Sequence, residues 1–369
     1  MKIIKFSFLF GFLLLIPQMY IFCQSESETT QHKVKLSFFG RLDLSTNYND
    51  NILDYSPIDI VKMDSVKYAS NNLKKFSINR LSDNITSAKI RLTFSANWFA
   101  HNPSTFRLKN NSYLYASNYI RNYSYWEFEV RQTFLRKNHF SLTYSNLPRY
   151  YLRNFYYHQI PERNPYKLFS RYVEAYLHKQ GFAVEVGRNF TRRVSLNMEY
   201  EHEDAKYNRE FSERDNRTDN LKMSASYNIS RLVDVSGSYR YSLSMANGRD
   251  NPDSTISDIS YRSNRYAVGA DFSLKSLIGI PLLLNTDAIF EYQKYLSNKI
   301  PILSYGDKYH YSRKDKFYKI STALTYRFSR KFDLYLQYLW EKNTTNLAET
   351  SDAGSYQTHQ IGIGASVLF

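Results

Sequence analysis

Three carboxylates and an imidazole alternate in the stretch EYEHEDA, with Glu199, Glu201 and Glu203 around His202. Such groups can hold a metal or move protons. In an extended strand, however, the glutamates point to one face and His202 to the other, which divides any ligand set. The eight histidines, His32, His101, His139, His158, His178, His202, His310 and His359, show no His-Glu-x-x-His or other ligand spacing. In GRDNPDSTISD, Asp250, Asp253 and Asp258 could meet calcium, but their spacing is not that of an EF-hand, and a solvated loop accounts for them. Cys23 is the only cysteine, so no disulfide can form within the chain. These residues predict no metal, no cofactor and no catalytic group. The charged positions must be doing something else, and the elements that carry them say what.

Those elements have a period of two. In LVDVSGSYRYSL, Val233, Val235, Tyr239, Tyr241 and Leu243 share one face, while Asp234, Ser236, Ser238, Arg240 and Ser242 share the other. LKMSASYNI and YKISTALTYRF repeat the pattern. Each reads as a strand in a sheet with one apolar and one polar face. Fourteen strands are predicted, starting near Val34, Thr86, Ser104, Ser124, Phe140, Phe169, Val194, Asn220, Val233, Arg262, Pro281, Phe317, Phe332 and Ser355. Short links such as Ser230–Leu232 and Ser329–Lys331 alternate with long polar ones: Asn49–Asn84, Arg149–Leu168, Asp204–Asp219, Asn247–Tyr261, Ser297–Lys314 and Thr344–Ala353. In RYVEAYLHKQGFAVEVGR the apolar set moves from Val173, Ala175 and Leu177 to Phe182, Val184 and Val186, which predicts a β-bulge near Gln180 and Gly181.

Lys2 and Lys5 precede an apolar run, Phe6 to Phe22, that gives way to polar QSESETTQ. This reads as a cleaved export signal over residues 1–23, followed by a short disordered segment, 24–33, and one barrel, 34–369. The chain carries 49 Lys and Arg against 34 Asp and Glu, a net charge of +15. Export and the absence of a concentrated basic run argue against nucleic acid and for anionic headgroups or acidic solutes. Tyrosine dominates, with 34 Tyr and 25 Phe against 12 Gly. Its ring and hydroxyl suit both strands and membrane boundaries. After the leader the longest apolar run is LIGIPLLL, far below the ~18 residues of a spanning helix.

The final stretch, HQIGIGASVLF, places Ile361, Ile363, Ala365, Val367 and Phe369 on one side. With the leader, the alternating strands and the unlike links, it makes the whole mature chain resemble a bacterial outer-membrane β-barrel of the porin-like superfamily. The resemblance implies an all-β, transmembrane, antiparallel up-and-down barrel of about 14 strands in the outer membrane of a didermic bacterium. It implies lipid and lipopolysaccharide around the barrel. It also makes Ile361, Ile363, Val367 and Phe369 the signal read by the barrel-assembly machinery. Outer-membrane phospholipases of this superfamily carry a His-x-Ser-Asn-Gly type motif. Here Leu142 and Thr143 follow Ser141, so no enzyme is expected.

In such a barrel the apolar sets face lipid: Leu36, Phe38, Leu42, Leu44, Ile90, Leu92, Phe94, Trp126, Phe128, Val130, Leu196, Met198, Phe272, Leu274, Leu334 and Leu336. Trp98, Tyr48, Tyr200, Tyr241, Tyr292 and Trp340 would form the girdles. The lumen would hold Arg41, Asp43, Lys89, Arg91, Glu127, Glu129, Arg131, Glu185, Glu199, Glu201, Lys222, Arg240, Arg265, Asp271, Asp287, Glu291, Lys319, Arg327 and Asp333. Those charges either set a field along a solute path or pair and fill the space. The expected function is a porin-like channel for passive or weakly selective passage of small polar solutes. The alternative is a non-conducting barrel within an envelope secretion, export or assembly complex, with a partner the sequence does not name.

Overall fold

The computed structural model describes residues 36–66, 80–99, 102–135, 137–159, 169–251, 257–300, 307, 309–347 and 354–369. The expected leader and the segment 24–33 lie outside these residues, as does the side chain of Trp98.

Fourteen strands close into one barrel, each pairing antiparallel with its neighbours in sequence and β1 pairing with β14. They are β1 (Leu36–Asn49), β2 (Asp83–Phe99), β3 (Asn102–Tyr115), β4 (Tyr123–Phe134), β5 (Asn138–Gln159), β6 (Phe169–Asn189) and β7 (Val194–Tyr207). The second half comprises β8 (Asn216–Asn228), β9 (Val233–Ala246), β10 (Tyr261–Ser273), β11 (Leu282–Tyr295), β12 (Lys314–Arg327), β13 (Phe332–Thr345) and β14 (Tyr356–Leu368). Closure matters because an open edge in lipid would leave a row of N–H and C=O groups without partners. A 14-residue strand such as β1 is long enough for the barrel wall. At ~3.3 Å per residue and a tilt of about 40° it rises ~35 Å, more than the ~25 Å apolar band of such barrels.

The cross-strand register sorts the side chains. Leu36, Phe38 and Leu44 of β1 stand opposite Ala96, Phe94 and Ala88 of β2, and the three β1 residues are about half exposed, which marks the outer face. Exposed Trp126, Phe128, Val130, Met198, Val268, Leu336 and Ile363 continue that face round the barrel. The expected lipid-facing residues occupy it, except Leu274, which lies in the turn after β10. Large side chains exposed all round a closed wall mean that the apolar surface is on the outside.

The seam between β14 and β1 shows why glycine stands where it does. Phe369 N donates to Gly40 O at 2.9 Å, and Gly40 N donates to Phe369 O at 2.7 Å. The Phe369 ring lies over Gly40, where a Cβ would overlap it. On the inner face, the ring of Tyr335 lies over Gly364 in the same way.

Two expectations are corrected. β6 runs without a bulge, in unbroken register with β7 from Leu177 to Asn189. The irregularities lie in its partner β5, between Leu147 and Tyr150 and between Tyr151 and Asn154. What changes along β6 is its surroundings. The inner face of its lower half meets the lumen, while Ala175 above is fully buried. Apolar residues therefore switch faces with no slip in register. For the same reason the expected link Arg149–Leu168 is in large part strand. The β5–β6 hairpin rises beyond its neighbours: β5 pairs with β4 only as far as Asn146, and β6 with β7 only as far as Leu177.

Candidate functional site

Positions alternating with the outer face point into the barrel, and they carry charges along most strands. Asp43 opposes Lys89 and Arg41 opposes Arg91. Arg91 opposes Lys109, which opposes Glu127, and Arg107 opposes Glu129. An unbroken charged row then crosses six strands, β6 to β11: Glu185, Glu199, Lys222, Arg240, Arg265 and Glu291. Lys319 faces Glu341 and Arg327 faces Asp333 across β12 and β13. The register thus places on the inner face Arg41, Asp43, Lys89, Arg91, Glu127, Glu129, Arg131, Glu199, Glu201, Lys222, Arg240, Arg265, Asp271, Glu291, Arg327 and Asp333.

Many of these charges pair, within a strand or across the inner face. Arg41 Nε lies 2.8 Å from Asp43 Oδ1, and Arg107 Nη1 lies 2.5 Å from Glu129 Oε2. Lys109 pairs with Glu127. Arg131 reaches Glu185 at 3.3 Å; its Nε is 3.1 Å from Glu129 Oε1, close enough for charge attraction but not aligned as a hydrogen bond. Lys179–Glu203 and Lys319–Glu341 close at 2.6 and 2.7 Å. Arg240 sits more loosely between Glu199 and Glu201, at 3.8 and 3.9 Å. Lys89 and Arg91 have no ion-pair partner among the described residues. With Arg41 and Lys109 opposite Arg91, they make β1–β3 the cationic part of the wall. Like charges facing across strands repel, so counter-charge from the lumen stabilises this arrangement.

Sequence reasoning passed over Arg107, Lys109, Lys179 and Glu341. On β3 the outward set includes Asn110 and Ser112, so the polar–apolar alternation that marks other strands is weak there. The signal was the pair Arg107 and Lys109 flanking Leu108. His202 points outward, with Nδ1 2.8 Å from Asp219 Oδ1, while Glu201 and Glu203 point inward; the EYEHEDA stretch is divided as strand geometry requires.

One end of the lumen is narrowed. Ile52, Leu53 and Tyr55, from the link after β1, form a buried cluster with Ile85 and Tyr151. Leu53 O accepts from Arg153 Nη2 at 3.0 Å, and Arg121 donates to Ile52 O and, at 2.5 Å, to Tyr150. Ser56 caps the helix that follows, α1 (Pro57–Val66): its Oγ accepts from Asp59 N at 3.2 Å, with Pro57 in the first position. Asp54 belongs to the same link and is acted on by the charges of Arg121, Arg153 and Lys319 and of Glu341. Burial pushes its carboxyl up to about 6. Toward the opposite end, a cavity of about 910 Å³ opens, lined by Arg192, Arg193, Asp234, Asp271 and Asp287 among others.

No family model matches the chain, and no curated protein matches it. Among solved structures, the anion-selective porin from Comamonas acidovorans aligns over 91% of this chain and 100% of its own, at 11% identity and a TM-score of 0.47. The outer membrane channel DcaP of Acinetobacter baumannii aligns over 93% of this chain and 99% of its own, at 10% identity and a TM-score of 0.47. The outer membrane protein OprD from Pseudomonas aeruginosa aligns over 90% and 93%, at 11% identity and a TM-score of 0.39. The architecture rests on the strand pairing itself rather than on these likenesses. With its sheet closed, its outside apolar and its inside charged, the chain is a closed 14-strand antiparallel up-and-down β-barrel.

Proposed function

We propose that this chain is a channel in the outer membrane of a didermic bacterium, giving small polar solutes passive or weakly selective passage. One observation carries the reading. Inward-facing Arg41, Arg131, Lys222, Arg240 and Arg265 keep 30–37% of their side chains exposed although they point to the middle of the protein. Exposed charge inside a closed wall requires water there. Fourteen strands also lie nearer the 16–18 of aqueous porins than the eight of filled barrels. In planar bilayers the purified chain conducts; conductance no greater than background overturns the reading. Lys89→Glu with Arg91→Glu moves the reversal potential toward cations, with a change of about 2-fold or more in permeability ratio.

The apolar cluster of Ile52, Leu53 and Tyr55 on Ile85 and Tyr151 favours a second reading, a non-conducting barrel in an envelope complex. Silence in bilayers together with a stoichiometric partner from gently solubilised membranes would select it. The export leader, residues 1–23, belongs to either reading, and N-terminal sequencing of protein from outer membranes tests it. So does recognition by the assembly machinery through Ile361, Ile363, Val367 and Phe369: Phe369→Ala should lower the folded fraction in membranes.

A further inference from the structure

The outer wall is not uniformly apolar. Arg262, Lys294 and Lys314 stand directly opposite one another on β10, β11 and β12. Lys316 and Lys342 extend the group on β12 and β13, and all five point outward, alternating with inward Ser263, Gln293, Asp315 and Asn343. Each lies within three residues of the same end of its strand, the end joined by the long links. Nearer the middle of the wall runs an outward aromatic row on β9–β12. Tyr239 and Tyr266 have ring centroids 5.3 Å apart, Tyr266 and Phe290 6.4 Å, and Phe290 and Tyr318 5.3 Å.

No Asp or Glu occupies an outward position on β9 to β14. The contrast is β7–β8, where the outward carboxylates near the same rim have protein partners: His202 Nδ1 lies 2.8 Å from Asp219 and Arg217 Nε 3.4 Å from Asp204. Strands lie ~4.8 Å apart, so opposed cations on β10–β12 repel unless an anion joins them. Aromatic residues mark the approach to the depth at which chains give way to headgroups; Arg262, Lys294 and Lys314 lie four residues beyond the row toward the rim, and outward Tyr292 stands opposite Lys316 between them. The anion that meets them there is a headgroup phosphate.

We infer that Arg262, Lys294, Lys314, Lys316 and Lys342 form a binding surface for the phosphate groups of a membrane lipid at the long-link rim. This rests on the membrane reading above. The test uses the full mature chain in phosphatidylcholine nanodiscs containing a minor fraction of bis-phosphorylated lipid A, followed by native mass spectrometry of the released barrel. The wild-type chain retains the phosphorylated lipid, and Lys294→Glu with Lys314→Glu lowers retention ~10-fold or more. Arg217→Glu with Lys206→Glu, the same charge change at the β7–β8 rim, leaves it near the wild-type value. Equal retention by the first pair, or equal loss in the second, overturns the inference. Heat-modifiable gel migration confirms that each variant is folded, and the milder Lys314→Gln, with a ~5-fold loss, serves if the reversal pair does not fold. A barrel that enters the nanodisc and keeps no phosphorylated lipid sinks this inference alone. A chain that cannot enter the nanodisc sinks the membrane reading with it.

Discussion

Two loop regions narrow the same end of the barrel with different balances of apolar and polar contact. The link after β1 seats Ile52, Leu53 and Tyr55 on Tyr151 and Ile85, so desolvation of apolar and aromatic surface does most of the work. The links before β10 and β12 rest mainly on buried polar and charged pairs, with no comparable apolar cluster among the described residues. Asp258 N donates to Asp307 Oδ2 at 2.8 Å, and His310 Nδ1 sits 2.8 Å from Asp307 Oδ1. Arg313 grips Asp315 with Nε at 2.8 Å and Nη2 at 2.7 Å, its guanidinium 4.8 Å from the centroid of the Tyr295 ring. Apolar seating tolerates partial slippage, because contacts are lost a few at a time. A buried polar lock does not, because each broken pair strands a desolvated group. The first region suits a narrowing that can move, and the second suits a fixed rim.

The contrast can be broken at either side. Arg313→Ala leaves Asp315 buried without its partner, at a cost of about 3–5 kcal/mol. Hydrogen exchange should then rise through 307–315 and stay slow in 50–56. A rise in both would show one unit instead of two. Tyr151→Ala removes the most deeply buried ring of the apolar seat, 1% exposed, at about 3 kcal/mol. Single-channel conductance should increase while exchange through 307–315 is unchanged.

Acid should sharpen the difference by a smaller amount. Asp54 has its carboxyl raised to about 6, mainly by burial, so its neutral form favours the docked link. That stabilisation is complete below pH ~4 and lost as pH rises through 6. His310 is held below the usual imidazole range, mainly by burial, against the pull of Asp307 and with Arg214 and Arg313 facing it. Its contribution is present at neutral pH and lost as pH falls through ~6.5. Between pH 7 and 4.5, exchange should therefore slow in 50–56 and quicken in 309–313. Asp54→Asn and His310→Gln should each flatten one limb. A common direction in both regions would sink the distinction.

Much of the wall was legible in the chain. Predicted strand starts such as Phe169, Val194, Val233 and Phe332 coincide with observed ones, and Asn220 differs from the true start, Asn216, by four residues. The two-residue period survives because each strand meets lipid on one side and water on the other, an environment that repeats all the way round. β3 was hard to read because its outward Asn110 and Ser112 break that rule. The upper halves of β5 and β6 misled because their apolar residues serve the loop cluster instead of lipid.

The sequence by itself determined the kind of surface each strand presents, since side-chain direction alternates along any extended chain. Tertiary structure decided what each charge meets. Arg121 finds the carbonyl of Ile52, Arg153 that of Leu53 and Gly40 the ring of Phe369, partners separated by 69, 100 and 329 residues. Closure and loop folding set those meetings, and a local period of two carries no information about contacts so far apart.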